Sequence, residues 1–335
     1  MSDNKRNEIV SGSNLERVLK AGHFAVCGEL GPPQGSAPDD VLRKCEYFRG
    51  MVDTINITDN QTAIVRMSSA VASVLTVQAG LEPVMQMTCR DRNRLAQQSD
   101  MLGAAALGVK NILCLTGDHA RLGNHPQAKP VHDIDSTNLI AAMHGLREGR
   151  FMSGDQVKTP PKLFIGGAAN PFGEPFQFRV LNLAKKIAAG ADFFQTQPVF
   201  DMARFKLWMQ AVCDQGLHEK AFIIAGVMPV RSVRALEHMQ DNVAGVRIAP
   251  EYITRMAAKT DKDEAMAEGI AIAIEIIHEV RQIPGVAGVH IMPVMWESAI
   301  GKVVKGAGLL PRPVIPQDEA LVAGEAVATA HTEKV

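Results

Sequence analysis

Three short stretches place ionisable or amide side chains where an apolar run ends. "AVCGELGPP" (25–33) holds Glu29 between apolar neighbours and a Pro-Pro pair, where a carboxylate is hard to solvate. Desolvation raises a carboxyl pKa towards the range useful to a general acid. "CLTGDH" (114–119) ends in Gly117, Asp118 and His119; the Gly lets the backbone turn or approach a ligand, and the Asp offers an anion. "FFQTQPVFD" (193–201) carries Gln195 and Gln197, primary amides that both donate and accept, as the edge of a heterocycle requires. Two further stretches are less specific. "TCRDRNR" sets Arg90, Arg92 and Arg94 at a helix start, suited to a carboxylate or phosphate or to a solvated face. His119, His125 and His132 follow no regular metal-ligand spacing, so no metal is expected.

These residues sit at the ends of repeating elements. Eight short Val/Ile/Phe/Met-rich runs recur at 24–30, 53–58, 82–88, 111–118, 162–168, 191–197, 221–227 and 286–292, with helix-patterned segments between them. Glu29, Thr58, Thr88 and Asp118 are separated by 29, 30 and 30 positions, the length of one strand, one crossover helix and two short loops. No GxGxxG follows the first run, so eight βα units predict a (β/α)8 TIM barrel rather than an open doubly wound sheet. Asp39 and Asp40 open one helix that Gly50 closes, Asp91 caps another, and Gly190 ends a third.

Alternation along each strand puts Glu29 with Cys27, Asn56 with Thr58, Gln86 with Thr88, Thr116 with Asp118, and Gln195 with Gln197 on shared faces. If those faces point inward, the polar residues converge on the C-terminal rim, where this fold carries its chemistry. Thr58 and Thr88, taken singly, are better read as loop or helix caps than as site residues. Extra helices fill 228–284, and the overlong segment 119–161 is expected to cover part of the mouth. The expected organisation is an N-terminal arm (1–20), a catalytic barrel (21–312) and a flexible C-terminal tail (313–335).

Composition narrows the partners. The chain is 46% hydrophobic and 21% charged, with 35 basic against 36 acidic residues and no basic stripe, so nucleic acid and anionic membranes are disfavoured. The N-terminus lacks a signal-peptide core and no apolar run is long enough to span a bilayer, which points to the cytoplasm. Five Cys without a CxxC pair are read as buried thiols rather than a disulfide framework or cluster site.

From about residue 24 to 311 the sequence resembles the methylenetetrahydrofolate reductases, flavin-dependent (β/α)8 barrels. "GELGPP" is similar to the family's first-strand motif, "LTGD" to its fourth-strand Gly-Asp, and "LNLAKKIAAGADFFQTQPVFD" to its most specific stretch; "MTC" and "AGVMPV" add support. The resemblance implies Glu29 as general acid, Asp118 as catalytic residue beside flavin and pterin, and Gln197 as a substrate ligand. It also implies flavin-side positions at Thr58, Gln86, Thr116, Asp118, Asn170 and Lys186. Gln86 stands where the family commonly has His, Thr116 where it has Arg, and "GGAANPFGEP" where it has a Tyr-Pro-Glu segment.

The implied reaction is reduction of 5,10-methylenetetrahydrofolate to 5-methyltetrahydrofolate, with FAD or alternatively FMN as cofactor. Electrons would come from NAD(P)H or from a partner subunit, since the divergent pattern is similar to the reductases of anaerobic one-carbon pathways. Any iron–sulfur relay would then lie in the partner, within a homo- or hetero-oligomer. Two rivals are a pterin-binding barrel methyltransferase, and a folate-binding subunit whose catalytic power resides elsewhere.

Overall fold

The computed structural model describes residues 8–243 and 245–316. All eight expected strands are present: β1 (Ala25–Leu30), β2 (Thr54–Ile57), β3 (Pro83–Thr88), β4 (Asn111–Leu115), β5 (Phe164–Ala169), β6 (Phe193–Pro198), β7 (Phe222–Val227) and β8 (Val286–Ile291). Each pairs in parallel with the next, and β1 pairs with β8, Cys27 opposite His290, so the sheet closes into a barrel and the open-sheet alternative falls away. The helices are α1 (Asn14–Lys20), α2 (Pro38–Cys45), α3 (Ser69–Gln78), α4 (Arg94–Ala106), α5 (Ser136–Arg147), α6 (Phe176–Ala188), α7 (Met202–Asp214), α8 (Val233–Asn242), α9 (Pro250–Ala257), α10 (Lys262–Val280) and α11 (Ile300–Gly306).

Strands buried on both faces read as nearly continuous apolar runs, and the two faces serve two cores. Outward residues such as Val26, Ile55, Met85, Ile112, Ile165, Phe194, Ile223 and Val289 pack under the helices. Inward residues Ala25, Cys27, Val84, Leu113, Phe164, Phe193 and Ile224 fill the barrel's lower half. Phe164 and Phe193 stack at 5.0 Å between ring centroids, and Gly166 leaves the space that the Phe193 ring occupies: a Cβ there would come within 2.3 Å of it.

The floor is sealed by α1, whose Leu15, Val18 and Leu19 join the inner core together with Ile315. Buried carboxylates fix this seal. Glu16 accepts bonds from Val10 N, Ser11 N, Ser11 Oγ and Gly12 N at 2.7–2.9 Å and pairs with Lys20. Burial alone would raise its pKa, but the bonds from Lys20, Val10 and Ser11 together hold it below the usual carboxylate value. Glu82, pushed up by burial, accepts from the amides of Asn14 and Leu15 at the start of α1. Asp53 accepts from Val26 N at 2.7 Å and from Arg312, which also bonds the carbonyl of Phe24.

Several local expectations change. Asn93, not Asp91, caps α4, accepting from Leu95 N and Ala96 N at 3.1 Å; Asp91 instead pairs with Arg90. The helix opened by Asp39 and Asp40 ends at Cys45, well before Gly50. The insert after β7 holds α8, α9 and α10, within the stretch 228–284 where extra helices were expected. Of the tail expected over 313–335, residues from 317 onward lie outside the described residues. Among the described residues no helix is long and apolar enough to cross a membrane.

Candidate active site

At the C-terminal end of the strands a cleft of about 830 Å³, counting its open mouth, gathers residues from six strands and their loops. Of the expected site residues, Glu29, Thr58, Gln86, Thr116, Asp118, Lys186 and Gln197 all line it. Asn170 does not. Its Oδ1 accepts from Phe172 N and Gly173 N at 2.9 and 3.2 Å, so its side chain shapes the loop leaving β5.

Glu29, the last inward-facing residue of β1, is 8% exposed. Gln86 Nε2 lies 3.4 Å from its Oε2 and donates to it, and His290 Nε2 stands 3.4 Å from the same oxygen, at ion-pair range and without a directional hydrogen bond. The carboxyl group is thus approached from β3 and β8. His290 was passed over in the sequence because it sits in an apolar run; its inward position follows from Val289 and Ile291, which pack outward on either side of it.

The rim at β4 has the opposite parity to the one expected for Thr116 and Asp118. Leu113 belongs to the inner core with Leu115 packed against it, so Thr116 takes the opposite face, where its Oγ1 donates to Ser136 Oγ at 3.2 Å. Gly117 then turns the chain with φ +89°, and Asp118 is carried back over the cleft. Its Oδ2 accepts from Thr62 N at 3.0 Å. That donor comes from the turn at 60–63, in which Asn60, Thr62 and Ala63 all have positive φ, a costly conformation for a β-branched Thr. The turn packs so closely on the β4–α5 loop that a Cβ at Gly123 would lie 1.8 Å from the Ala63 carbonyl oxygen.

A cation–anion lattice holds these loops in place. Asp59, buried and unremarked in the sequence, accepts from Thr88 N, Thr88 Oγ1, Ser69 Oγ and both Arg92 Nη atoms. Arg90, 3% exposed, pairs with Asp91 and donates to the carbonyls of Asp118 and Asn60. Arg94 pairs with Asp133. The three arginines of "TCRDRNR" are therefore internal ties that set the mouth's shape.

Lys186 of α6 reaches beneath the rim and donates from Nζ to the carbonyl of Ala168 at 2.7 Å. Burial lowers its pKa, partly opposed by Cys114 and Asp135. An ammonium has three donors, and Lys186 makes this one bond among those the structure shows, at the edge of the cleft. Thr58 Oγ1, also lining the cleft, is buried without a partner. Gln195, two residues before Gln197 on the same face of β6, is 3% exposed, and neither of its amide atoms has a hydrogen-bond partner. Cys114 borders the cleft as a thiol that burial pushes up. His119 accepts from Arg121 N, capping its own turn. Among the described residues, no group of three or more His, Cys, Asp or Glu is arranged to hold a metal.

The family model for methylenetetrahydrofolate reductase matches residues 14–308. The chain belongs to the methylenetetrahydrofolate reductase family. Methylenetetrahydrofolate reductase 1 of Schizosaccharomyces pombe is 24% identical over 260 residues, 75% of this chain and 40% of that protein. Methylenetetrahydrofolate reductase (NADH) 1 of Arabidopsis thaliana is 26% identical over 239 residues, 69% of this chain and 38% of its own length. The chain thus spans well under half the length of these family members. A solved structure from Clostridium thermocellum, of an uncharacterized protein that binds two copies of 5-methyl-5,6,7,8-tetrahydrofolic acid, superposes with a TM-score of 0.61 at 15% identity, covering 88% of this chain and 98% of that one. At that identity the likeness is one of fold.

Proposed function

We propose that this chain reduces 5,10-methylenetetrahydrofolate to 5-methyltetrahydrofolate with a bound flavin, FAD or alternatively FMN, in the cytoplasm. The observation that carries the reading is the convergence of Glu29, Asp118 and Gln197 with Lys186 on one cleft in a barrel of this family. The flavin fits the donor set on the β2–β5 side. Thr58 Oγ1 has no partner in the protein, and the Gln86 amide and Lys186 ammonium supply donors for ring carbonyls and nitrogens. Reduced flavin, when bound, supplies a hydride.

The chain's own residues prepare the acceptor. Glu29 gives a proton to the ring nitrogen N10 as the imidazolidine C–N bond breaks, which leaves an electrophilic iminium at N5. Gln86 donates to Oε2 and positions the carboxyl group for that transfer, with His290 Nε2 standing 3.4 Å from the same oxygen. Asp118 favours the iminium electrostatically as an anion near the mouth. Gln197 donates to and accepts from the pterin edge. Electrons reach the flavin from NAD(P)H or from a partner subunit.

An anaerobic absorbance spectrum tests the reading. The chain reconstituted with FAD or FMN should lose its flavin band on mixing with 5-methyltetrahydrofolate, because hydride then moves in reverse. A flavin band indifferent to the folate overturns the assignment, and a chain that binds folate without flavin belongs with the methyltransferases or folate-binding subunits.

A further inference from the structure

Glu29 gives up a proton in the proposed chemistry and must then carry a negative charge while almost wholly buried. A buried charge is costly unless a donor or an opposite charge meets it. The bond from Gln86 Nε2 to Oε2 is long, at 3.4 Å, and comes from a neutral amide. Among the described residues, the basic group at ion-pair distance from this carboxyl is His290, its Nε2 3.4 Å from the same oxygen. That nitrogen is buried and makes no hydrogen bond of its own.

The layer in which His290 stands is unlike an ordinary barrel interior. Each inner layer takes four side chains from alternate strands, and branched aliphatic residues dominate. With Cys27 opposite His290 and Glu29 opposite Asn56, the layer directly below Glu29 comes from β2, β4, β6 and β8: Asn56, Leu113, Gln195 and His290. Only Leu113 is apolar. Asn56 Oδ1 and both amide atoms of Gln195 are, like His290 Nε2, buried without a partner. Such groups are uncommon in a folded interior, and each calls for a reason. For His290, which alone of the three can become a cation and which stands at the carboxyl group, the acid above it supplies one.

We propose that His290 is a positioning residue for Glu29, its Nε2–H turning into line with Oε2 as the acid gives up its proton and holding the carboxylate that remains. The inference rests on the reading of Glu29 as the acid. In that step the carboxyl O–H bond breaks and N10–H forms, while the electron pair of the breaking C–N10 bond goes to N10. His290 keeps its own proton throughout, and Glu29 regains one from solvent after the product leaves. A separation of 3.4 Å suits a bond that closes during the reaction, since catalytic hydrogen bonds are often long and poorly aligned in the free enzyme. Closing to an ordinary length takes about 0.5 Å.

The test is a double-variant cycle on the flavin-loaded chain, read as single-turnover reoxidation of the reduced flavin by methylenetetrahydrofolate without oxygen. H290M removes the donor and keeps the bulk; it should slow reoxidation about 10- to 100-fold. The folate concentration giving half the maximal rate should change by less than about threefold. H290Q, whose amide nitrogen can take the place of Nε2, should recover most of the loss. On the E29Q background H290M should cost no more than about twofold, because its effect passes through the carboxylate. A merely structural role predicts otherwise: a lower Tm, weaker folate binding, and losses that multiply in the double variant. Multiplied losses, an H290M rate within about twofold of the parent, or an H290Q variant as slow as H290M each overturn the inference and leave the role of Glu29 standing. Should H290M be poorly folded, H290N carries the test, its shorter amide stopping short of Oε2. If E29Q itself reoxidises at the parent rate, the acid reading falls and this inference falls with it.

Discussion

Replacing Glu29 by Gln isolates its proton from its shape. The side chain is 8% exposed and approached at 3.4 Å by both Gln86 Nε2 and His290 Nε2, and an amide of the same size keeps the volume and an oxygen acceptor. Fold and folate affinity should therefore change little, while the group that protonates the leaving amine is lost. General acid catalysis contributes roughly 10²–10⁴-fold, so the barrier to reduction should rise by about 3–5 kcal/mol. The assay is anaerobic rapid mixing of the flavin-reduced variant with methylenetetrahydrofolate, following the return of the oxidised flavin band. The same loss should appear in the reverse direction with methyltetrahydrofolate, since the proton must then be removed by the same carboxylate. Flavin content and the equilibrium affinity for methyltetrahydrofolate, measured on the same preparation, should stay within a few-fold of the parent. Reoxidation within tenfold of the parent rate would refute the role of Glu29 as the acid.

Three other substitutions follow from the packing. Lys186→Met removes a buried ammonium while filling its space, and should weaken flavin binding by at least about tenfold without lowering Tm, because an incompletely paired buried cation is costly; unchanged flavin affinity in a titration would remove Lys186 from the cofactor site. Glu16→Gln should destabilise the chain by about 3 kcal/mol in denaturant, since several donors would lose a charged acceptor. Because the folded-state pKa of Glu16 is depressed, its contribution is full above the unfolded value near 4.5 and fades as pH falls through the lower folded value, so parent and variant should converge in stability only in acid. Gly166→Ala drives a Cβ to within 2.3 Å of the Phe193 ring and should cost about 1–3 kcal/mol, read from the denaturation midpoint; a neutral effect would mean that the inner aromatic layer is loosely packed.

The barrel was legible in the sequence because every strand is an apolar run and the first four strand ends recur at nearly constant spacing. Glu29, Gln86 and Gln197 were legible for the same reason: inside a strand, parity decides which way a side chain points. Parity helps only if the inward set is known and only as far as the strand runs. In β4 the inward residues are Leu113 and Leu115, so alternation turns Thr116 towards Ser136, and Asp118, beyond the strand, reaches the cleft through the left-handed turn at Gly117. Asn170 lies in a loop whose amides claim its side chain, a local use that no period reveals. Asp59 was hidden because its importance lies in partners from three other segments, Ser69, Thr88 and Arg92. His290 looked like part of an apolar strand, and only closure of β8 against β1 brings it to Glu29.

Closure of the floor has a consequence for how the chain comes off the ribosome. Asp53 is committed early, beside β2, yet the guanidinium that neutralises it belongs to Arg312, and the inner core is completed from below by Ile315. During vectorial synthesis this carboxylate stays without its counter-ion until nearly all of the barrel has emerged, so the nascent sheet cannot settle strand by strand into its final state. The stretch that matches the family ends at residue 308, four positions short of Arg312. A shortened version cut at that boundary would keep every strand and the whole cleft, and would still leave a buried anion without its cation.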